Sequence, residues 1–375
     1  MRKKKRICLL FLVCFLCCGC GVTPGSVVIG LNIERSGNLA QYGEACYKGV
    51  MMAVEQINRE GGLSGRKLEV SVIDNRSQNS DAALAAVKFG SMKKISAVIG
   101  PTTSPGVKAA ASARAKVPII TPSATADDLT GSDPDGQVFR ICFTDTAQGT
   151  AMGQYAPLLG FKRAALLLDS SSAYAKGMSE VFAGVFAQNG GEIAATEYYS
   201  ASELDFYMVL TKLREYGVDC IYLPAYYTEG ALIIRQAREL SIDAAILSGD
   251  AFDSPRLEDL AGDEKLDGIY FTNHYDPNSE EIQSFFEEYY EAYGEYPAAY
   301  AALGYDAVFF FAEAVKNAGS ADREAVSKAL SGITDFTGIT GSVTINENRD
   351  AVKKVYLNQI QGGVRSAVDT SALSD

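Results

Sequence analysis

Short polar clusters, each placed just after an apolar run, carry the side chains that could do chemistry in this 375-residue chain. They are Thr102-Thr103-Ser104, Ser123-Ala124-Thr125, Ser172-Ala173-Tyr174, Tyr226-Tyr227 and Asp250. Hydroxyls can donate to a carboxylate, and a carboxylate can hold an ammonium group through charge-assisted hydrogen bonds. The set therefore points to recognition of a small molecule charged oppositely at its two ends. Ser104-Pro105 is the sharpest local signal. Ser is favoured at an N-cap and Pro at the first helical position, so a helix is predicted to start there and to aim free N–H groups at an anion. Thr125, just before Ala126-Asp127-Asp128-Leu129, predicts a second helix start. Tyr174 and Tyr226 could close over a ligand with an aromatic face and a hydroxyl. All of these residues also have ordinary structural readings: water-filled caps, half-exposed loop aromatics, and for Asp250 a cap on Ser254–Leu260.

Catalysis is poorly supported. His274 is the sole histidine, so a Ser-His-Asp triad or a zinc site built on several histidines has no partners. No G-x-G-x-x-G opens a helix after Val27–Ile33 and no G-x-x-x-x-G-K-[ST] occurs, so no nucleotide fingerprint is present. The acid pairs Asp127-Asp128 and Glu287-Glu288 read as a helix start and a solvated helix face. Cys46, Cys142 and Cys220 are far apart without C-x-x-C spacing and read as buried free thiols. A net charge of −12 argues against a nucleic-acid partner, whose phosphates demand a basic face. No cofactor and no metal are expected.

The elements that must position these residues alternate in kind. Val27–Ile33, Lys67–Asp74, Ala97–Gly100 and Pro118–Thr121 read as strands, with helices over Tyr42–Arg59, Asn79–Lys94 and Pro105–Lys116 between them. A second series has strands at Ala164–Asp169, Glu192–Tyr199, Cys220–Leu223, Ala245–Ser248 and Gly268–Thr272. Its helices are Gly177–Gln188, Phe206–Tyr216 and Glu229–Leu240. Helices follow at Glu280–Tyr293, Ala299–Ala318 and Arg323–Leu330, then an extended arm at Gly338–Asn346 and a strand at Val352–Gln361. Such βαβ alternation predicts α/β architecture with two parallel sheets covered by helices. Ligands of such sheets bind beyond the carboxyl ends of the strands, which is where the polar clusters fall.

The N-terminus has a separate message. Arg2, Lys3, Lys4, Lys5 and Arg6 precede the apolar run Ile7–Cys18 and then Gly19-Cys20. That order is the pattern of an exported, lipidated precursor, with the lipid on Cys20. The run is about a dozen residues, short of the roughly twenty that span a bilayer. Cys17 stands where lipoprotein signals usually carry Leu.

The strings Glu34-Arg35-Ser36-Gly37-Asn38-Leu39-Ala40-Gln41-Tyr42-Gly43 and Ile57-Asn58-Arg59-Glu60-Gly61-Gly62-Leu63-Ser64-Gly65-Arg66-Lys67-Leu68 resemble the branched-chain amino-acid-binding proteins, which are type I solute-binding proteins of ABC transporters. The resemblance continues through Val98–Pro101, Ile119–Thr125, Tyr222–Tyr226 and Ala299–Ala307, over nearly all of the chain after the leader. It implies two Rossmann-like lobes joined by three crossings, with the ligand in the cleft. On that plan residues 1–19 are a signal, 20–25 a lipid-bearing linker, 26–144 with 275–350 lobe one, and 145–274 with 351–375 lobe two.

The resemblance further implies a site. Ser104 and Thr125 would hold the ligand carboxylate, with Ser123 offering its carbonyl to the ammonium. Tyr174 and Tyr226 would contribute from lobe two, Asp250 would bind the ammonium, and Tyr42 would line the side-chain pocket. Thr102 and Thr103 stand where leucine-binding members carry an apolar residue and a disulfide cysteine, and Ala124 lies among the site residues. The implied partners are an amino acid, a permease and an ATPase, and the membrane through the lipid; a monomer is expected. A ligand-sensing receptor of the same fold, reading an amide or urea-like metabolite, is the alternative.

One consequence is directly measurable. The chain expressed with its leader should fractionate with membranes and carry a fatty-acyl mass on Cys20, and Cys20→Ser should abolish both. A wild-type product that is fully soluble and lipid-free would contradict the assignment.

Overall fold

The computed structural model describes residues 25–200 and 202–369. The leader, Cys20 and residues 370–375 lie outside the described residues. The first α/β unit runs β1 (Val27–Ile33), α1 (Ala40–Arg59), β2 (Leu68–Asp74), α2 (Asn79–Ser91), β3 (Ile95–Ile99), α3 (Ser104–Ser112), β4 (Ile119–Thr121) and β5 (Val138–Arg140). Its strands form one parallel sheet in the order β2-β1-β3-β4-β5. Every residue of β1 and β3 is buried, the signature of sheets covered on both faces. Helix α1 buries Cys46, Val50, Ala53, Val54 and Ile57, the stripe its apolar spacing predicts.

The chain then crosses to the second unit with α4 (Asp145–Leu158), β6 (Arg163–Asp169), α5 (Ala173–Gln188), β7 (Glu192–Tyr199), α6 (Tyr207–Glu215), β8 (Cys220–Tyr222), α7 (Tyr227–Glu239), β9 (Ala245–Ser248), α8 (Pro255–Ala261) and β10 (Ile269–Asn273). It returns with α9 (Glu280–Tyr293), α10 (Ala299–Ala318), α11 (Arg323–Leu330) and the small antiparallel sheet β11 (Phe336–Gly338), β12 (Gly341–Ile345) and β13 (Ala351–Val352). A third crossing leads to β14 (Tyr356–Gln361) and β15 (Val364–Ala367), which extend the second sheet to the order β15-β14-β10-β9-β8-β6-β7. β14 and β15 pair antiparallel, so that sheet is mixed at one edge rather than wholly parallel.

Several sequence readings need correcting. Val352–Gln361 is not one strand, because Ala351–Val352 pair with β12 and the chain changes sheets at residues 353–355. Helix α3 has Thr103 as its extended N-cap, which puts Ser104 and Pro105 inside the first turn. Thr125 starts no helix; residues 127–130 form a turn, and the next helix, α4, is capped by Thr144. The strand β5 and the helix α4 were missed. β5 is only three residues long, and α4 has small residues such as Gly149 and Gly153 where an apolar stripe would be sought. Cys46, Cys142 and Cys220 are buried and free, as expected.

Helix α10 crosses α1 so closely that glycine is required at the contact. A Cβ at Gly49 would lie 1.9 Å from the Ala301 carbonyl oxygen, and one at Gly304 would lie 2.5 Å from that of Cys46. Gly49→Ala gains up to about 1 kcal/mol of helix propensity. The backbone clash should outweigh it, giving a net loss of about 1–2 kcal/mol in denaturant unfolding. A stabilised Gly49→Ala variant would contradict this packing.

Candidate functional site

The carboxyl ends of the two sheets face each other across a narrow cavity of about 20 Å³. Thr102, Thr103 and Ser104 reach it from the β3–α3 connection, and Ser123 and Thr125 from the segment after β4. Tyr174 comes from the first turn of α5, Tyr226 from the N-cap of α7, and Asp250 and Ala251 from the 3-10 turn after β9. Tyr300, in the first turn of α10, completes the lining. A larger hollow of about 950 Å³, beside Tyr305, Phe309 and Phe336, holds none of the residues singled out from sequence.

Hydrogen bonds refine what the first wall offers. Thr102 donates its hydroxyl (2.6 Å) and its N–H (3.2 Å) to Glu34 Oε2, and Thr103 donates to Glu34 Oε1 at 3.4 Å. Ser123 Oγ donates to the Thr102 carbonyl at 2.9 Å. These three hydroxyl protons are engaged within the protein, so the oxygens present lone pairs to the cavity. Ser104 is the opposite case: its Oγ accepts from the Ala126 N–H at 3.1 Å and keeps its own proton to give. Glu34 is buried, and burial raises its pKa against the opposing bonds from Thr102 and Asn75. Sequence reading passed over Glu34, although it directly follows β1 and so obeys the strand-end rule that found the others.

The second wall is centred on Asp250, which is 3% exposed. Its Oδ2 lies 2.9 Å from His274 Nε2, and Tyr174 OH donates to Oδ1 at 3.4 Å. Its N–H donates to Gln148 Oε1 at 3.1 Å, an oxygen that also accepts from Thr272 Oγ1 at 2.8 Å. Gly249 permits this crowding, since a Cβ there would meet Tyr174 OH at 2.3 Å. Asp145 stands beside this group, with its carboxylate pKa pushed up to about 7, chiefly by burial, and accepts from Gln148 Nε2 at 3.2 Å. Burial also raises Tyr174, Tyr226 and Tyr300, so the phenols stay neutral at physiological pH.

Two predicted residues sit elsewhere. Ala124 does not line the cavity; its carbonyl accepts from Arg140 Nη1 (3.4 Å) and Cys142 Sγ (3.2 Å). Tyr42 lies one layer behind, stacked on Tyr300 with centroids 4.2 Å apart. Its hydroxyl donates to the Ala251 carbonyl at 2.9 Å and accepts from the Tyr227 N–H at 3.2 Å, tying α1 to the second unit. Tyr174 and Tyr226 stack face to face at 5.7 Å. Tyr300 carries no site signal in the sequence, because only the packing of α10 on α1 brings it there.

One parallel sheet and one that is parallel except at one edge, joined by three crossings, with facing strand ends around a polar cavity, define a type I solute-binding fold. The sequence profile of the periplasmic binding protein family matches residues 26–364, and the chain belongs to that family. It is 30% identical over 339 residues to the Leu/Ile/Val-binding protein homolog 1 of Brucella abortus, covering 88% of this chain and 89% of that one. The crystal structure of the branched-chain amino acid transporter substrate-binding protein LivJ from Streptococcus pneumoniae, in complex with isoleucine, superposes with a TM-score of 0.85 at 35% identity, covering 92% and 99% of the two chains. A solute-binding protein from R. palustris in complex with benzoate has the same fold, with a TM-score of 0.82 at 24% identity over 92% and 96%. These relatives are solute-binding proteins, which points away from an enzyme. Among the described residues no helix is long and apolar enough to cross a membrane.

The Tyr42 hydroxyl supports two buried backbone groups in the other unit. Tyr42→Phe should leave both unpaired and cost about 1–3 kcal/mol of unfolding free energy. A variant as stable as wild type would show that the tie contributes nothing.

Proposed function

We propose that this chain is the extracytoplasmic solute-binding component of an ABC importer and that it captures an α-amino acid between its lobes. The observation that carries the reading is the polarity of the cavity. Asp250 stands on one wall, and the Ser104 hydroxyl at the start of α3 stands on the other. A zwitterion leaving water must be paired at both ends, or its desolvation costs several kcal/mol. Asp250 accepts the ammonium, while Ser104 and the first turn of α3 receive the carboxylate, the Thr125 hydroxyl being turned to Asp145. The lone pairs of Thr102 and Thr103 suit a small or hydroxylated side chain better than a large aliphatic one. The relatives that are Leu/Ile/Val-binding by name, or hold isoleucine, support an amino acid. The benzoate-bound neighbour makes an aromatic carboxylate the competing class, and that ligand has no ammonium for Asp250.

Donors on one lobe and an acid on the other are satisfied together only when the cleft is shut. The ligand thus favours the closed state through contacts the open state lacks, which is what a population shift requires. The closed, loaded form is what the permease receives, from a monomer held at the membrane by lipidated Cys20.

The test is a thermal-shift and calorimetric screen against the twenty L-amino acids and benzoate. At a hundredfold excess over Kd one amino-acid class should stabilise the protein by about 2.7 kcal/mol. Asp250→Ala and Ser104→Ala should each weaken that ligand by at least tenfold. Binding of benzoate with no amino acid bound, or an unchanged Kd in Asp250→Ala, would overturn the reading.

A further inference from the structure

The chain's single histidine is buried against the acid that lines the cavity. His274 follows β10 at the second crossing between the units and is fully buried. Its Nε2 meets Asp250 Oδ2 at 2.9 Å, and its ring stacks on Phe143 with centroids 3.8 Å apart. Nδ1 is buried without a hydrogen-bond partner. A carboxylate can only accept, so the proton on Nε2 is donated to Asp250 and Nδ1 is the bare nitrogen.

That geometry tolerates one protonation state. Adding a second proton would place an N–H at Nδ1 with no acceptor, the costly case for a buried donor. It would also set a cation against the same carboxylate that faces the cavity, where the ligand ammonium is to bind. The charged and titratable groups around the ring do not offset this. Asp250 and Asp253, from the turn after β9, favour the charged ring, while Lys353, from the third crossing, disfavours it. Cys142, from the first crossing, is a thiol that burial holds neutral, and Asp145 on α4 interacts with Asp250. Burial outweighs these charges and lowers the His274 pKa from 6.5.

We propose, on the amino-acid reading above, that His274 is the positioning residue of the site: as the neutral Nε2–H tautomer it fixes the Asp250 carboxylate toward the cavity, and protonation of its ring and capture of the ammonium exclude each other. The sign follows from linkage. The loaded, closed form binds the extra proton less readily than the open form, so the apparent Kd must rise as pH falls below the His274 pKa of the open form. With one proton involved, the limit is about tenfold per pH unit.

The experiment is calorimetry of the purified protein with L-isoleucine, and with the other nineteen L-amino acids if isoleucine fails, from pH 7.5 to pH 5.0. Wild type should lose affinity toward the acid end, by up to about tenfold per pH unit, with proton release on binding seen as a buffer-dependent heat; Asp145, whose carboxyl burial raises to about 7, adds its own change near neutrality, which Asp145→Asn removes. His274→Asn, which keeps an amide donor for Asp250, should bind several-fold more weakly at pH 7.5 and show no acid slope. His274→Ala should bind more weakly still, also without the acid slope, while Asp145→Asn should retain the acid slope. Thermal unfolding of each variant without ligand separates these effects from misfolding. A wild-type Kd constant down to pH 5.0, or a His274→Asn variant that keeps the wild-type slope, would overturn the proposal. If none of the twenty binds at pH 7.5, the amino-acid reading falls and this inference falls with it. Binding that ignores His274 removes the inference alone.

Discussion

A carboxylate held at 3% exposure, facing a narrow interlobe cavity, is the constraint on which the rest of this structure turns. Withdrawing such a group from water is costly unless hydrogen bonds or an opposite charge replace the lost hydration. Asp250 obtains the first from neutral donors, His274 Nε2–H and the Tyr174 phenol. Among the described lining residues there is no Lys or Arg to supply the second. The protein thus holds the acid in place without discharging it. In the proposed function the missing charge arrives with the ligand.

The surroundings serve that arrangement. Gly249 lets Gln148 and Tyr174 approach the Asp250 backbone closely, and Gln148 links Asp250 to Thr272 and Asp145. On the opposite wall Glu34 draws the hydroxyl protons of Thr102 and Thr103 inward, leaving Ser104 as a donor at the start of α3. Tyr42, stacked on Tyr300 and bonded to Ala251, joins the walls. Apart from Gln148 and Asp145, neighbours on α4, these contacts join segments far apart in the chain. The cavity therefore exists only as a product of the two sheets meeting.

What was legible beforehand follows from locality. Strand ends are visible as the limits of apolar runs, so Thr102, Ser104, Ser123, Thr125, Tyr174, Tyr226 and Asp250 could be collected by one topological rule. The amphipathic α1 and the apolar α10 were equally plain, because their patterns are long. Cap identity was less secure. Ser104-Pro105 looked like an N-cap and N1 pair, yet the extended residue is Thr103, and only backbone geometry distinguishes them. The direction of the Thr102 and Thr103 hydroxyls depends on Glu34, 68 residues away from Thr102, which no local pattern reveals. His274 was weighed as a catalytic residue and set aside, since its partner Asp250 is close only once β9 and β10 pair. Tyr300 entered through the crossing of two helices for the same reason.

The most direct measurement removes one charge at a time from the ligand rather than from the protein. For the amino acid that binds, calorimetry would compare it with its des-amino carboxylic acid and its decarboxylated amine. The account predicts that each analogue binds at least a hundredfold more weakly, because each leaves one wall of the cavity unpaired. A des-amino acid that binds as tightly as the parent would contradict it, for Asp250 would then face nothing that needs its charge.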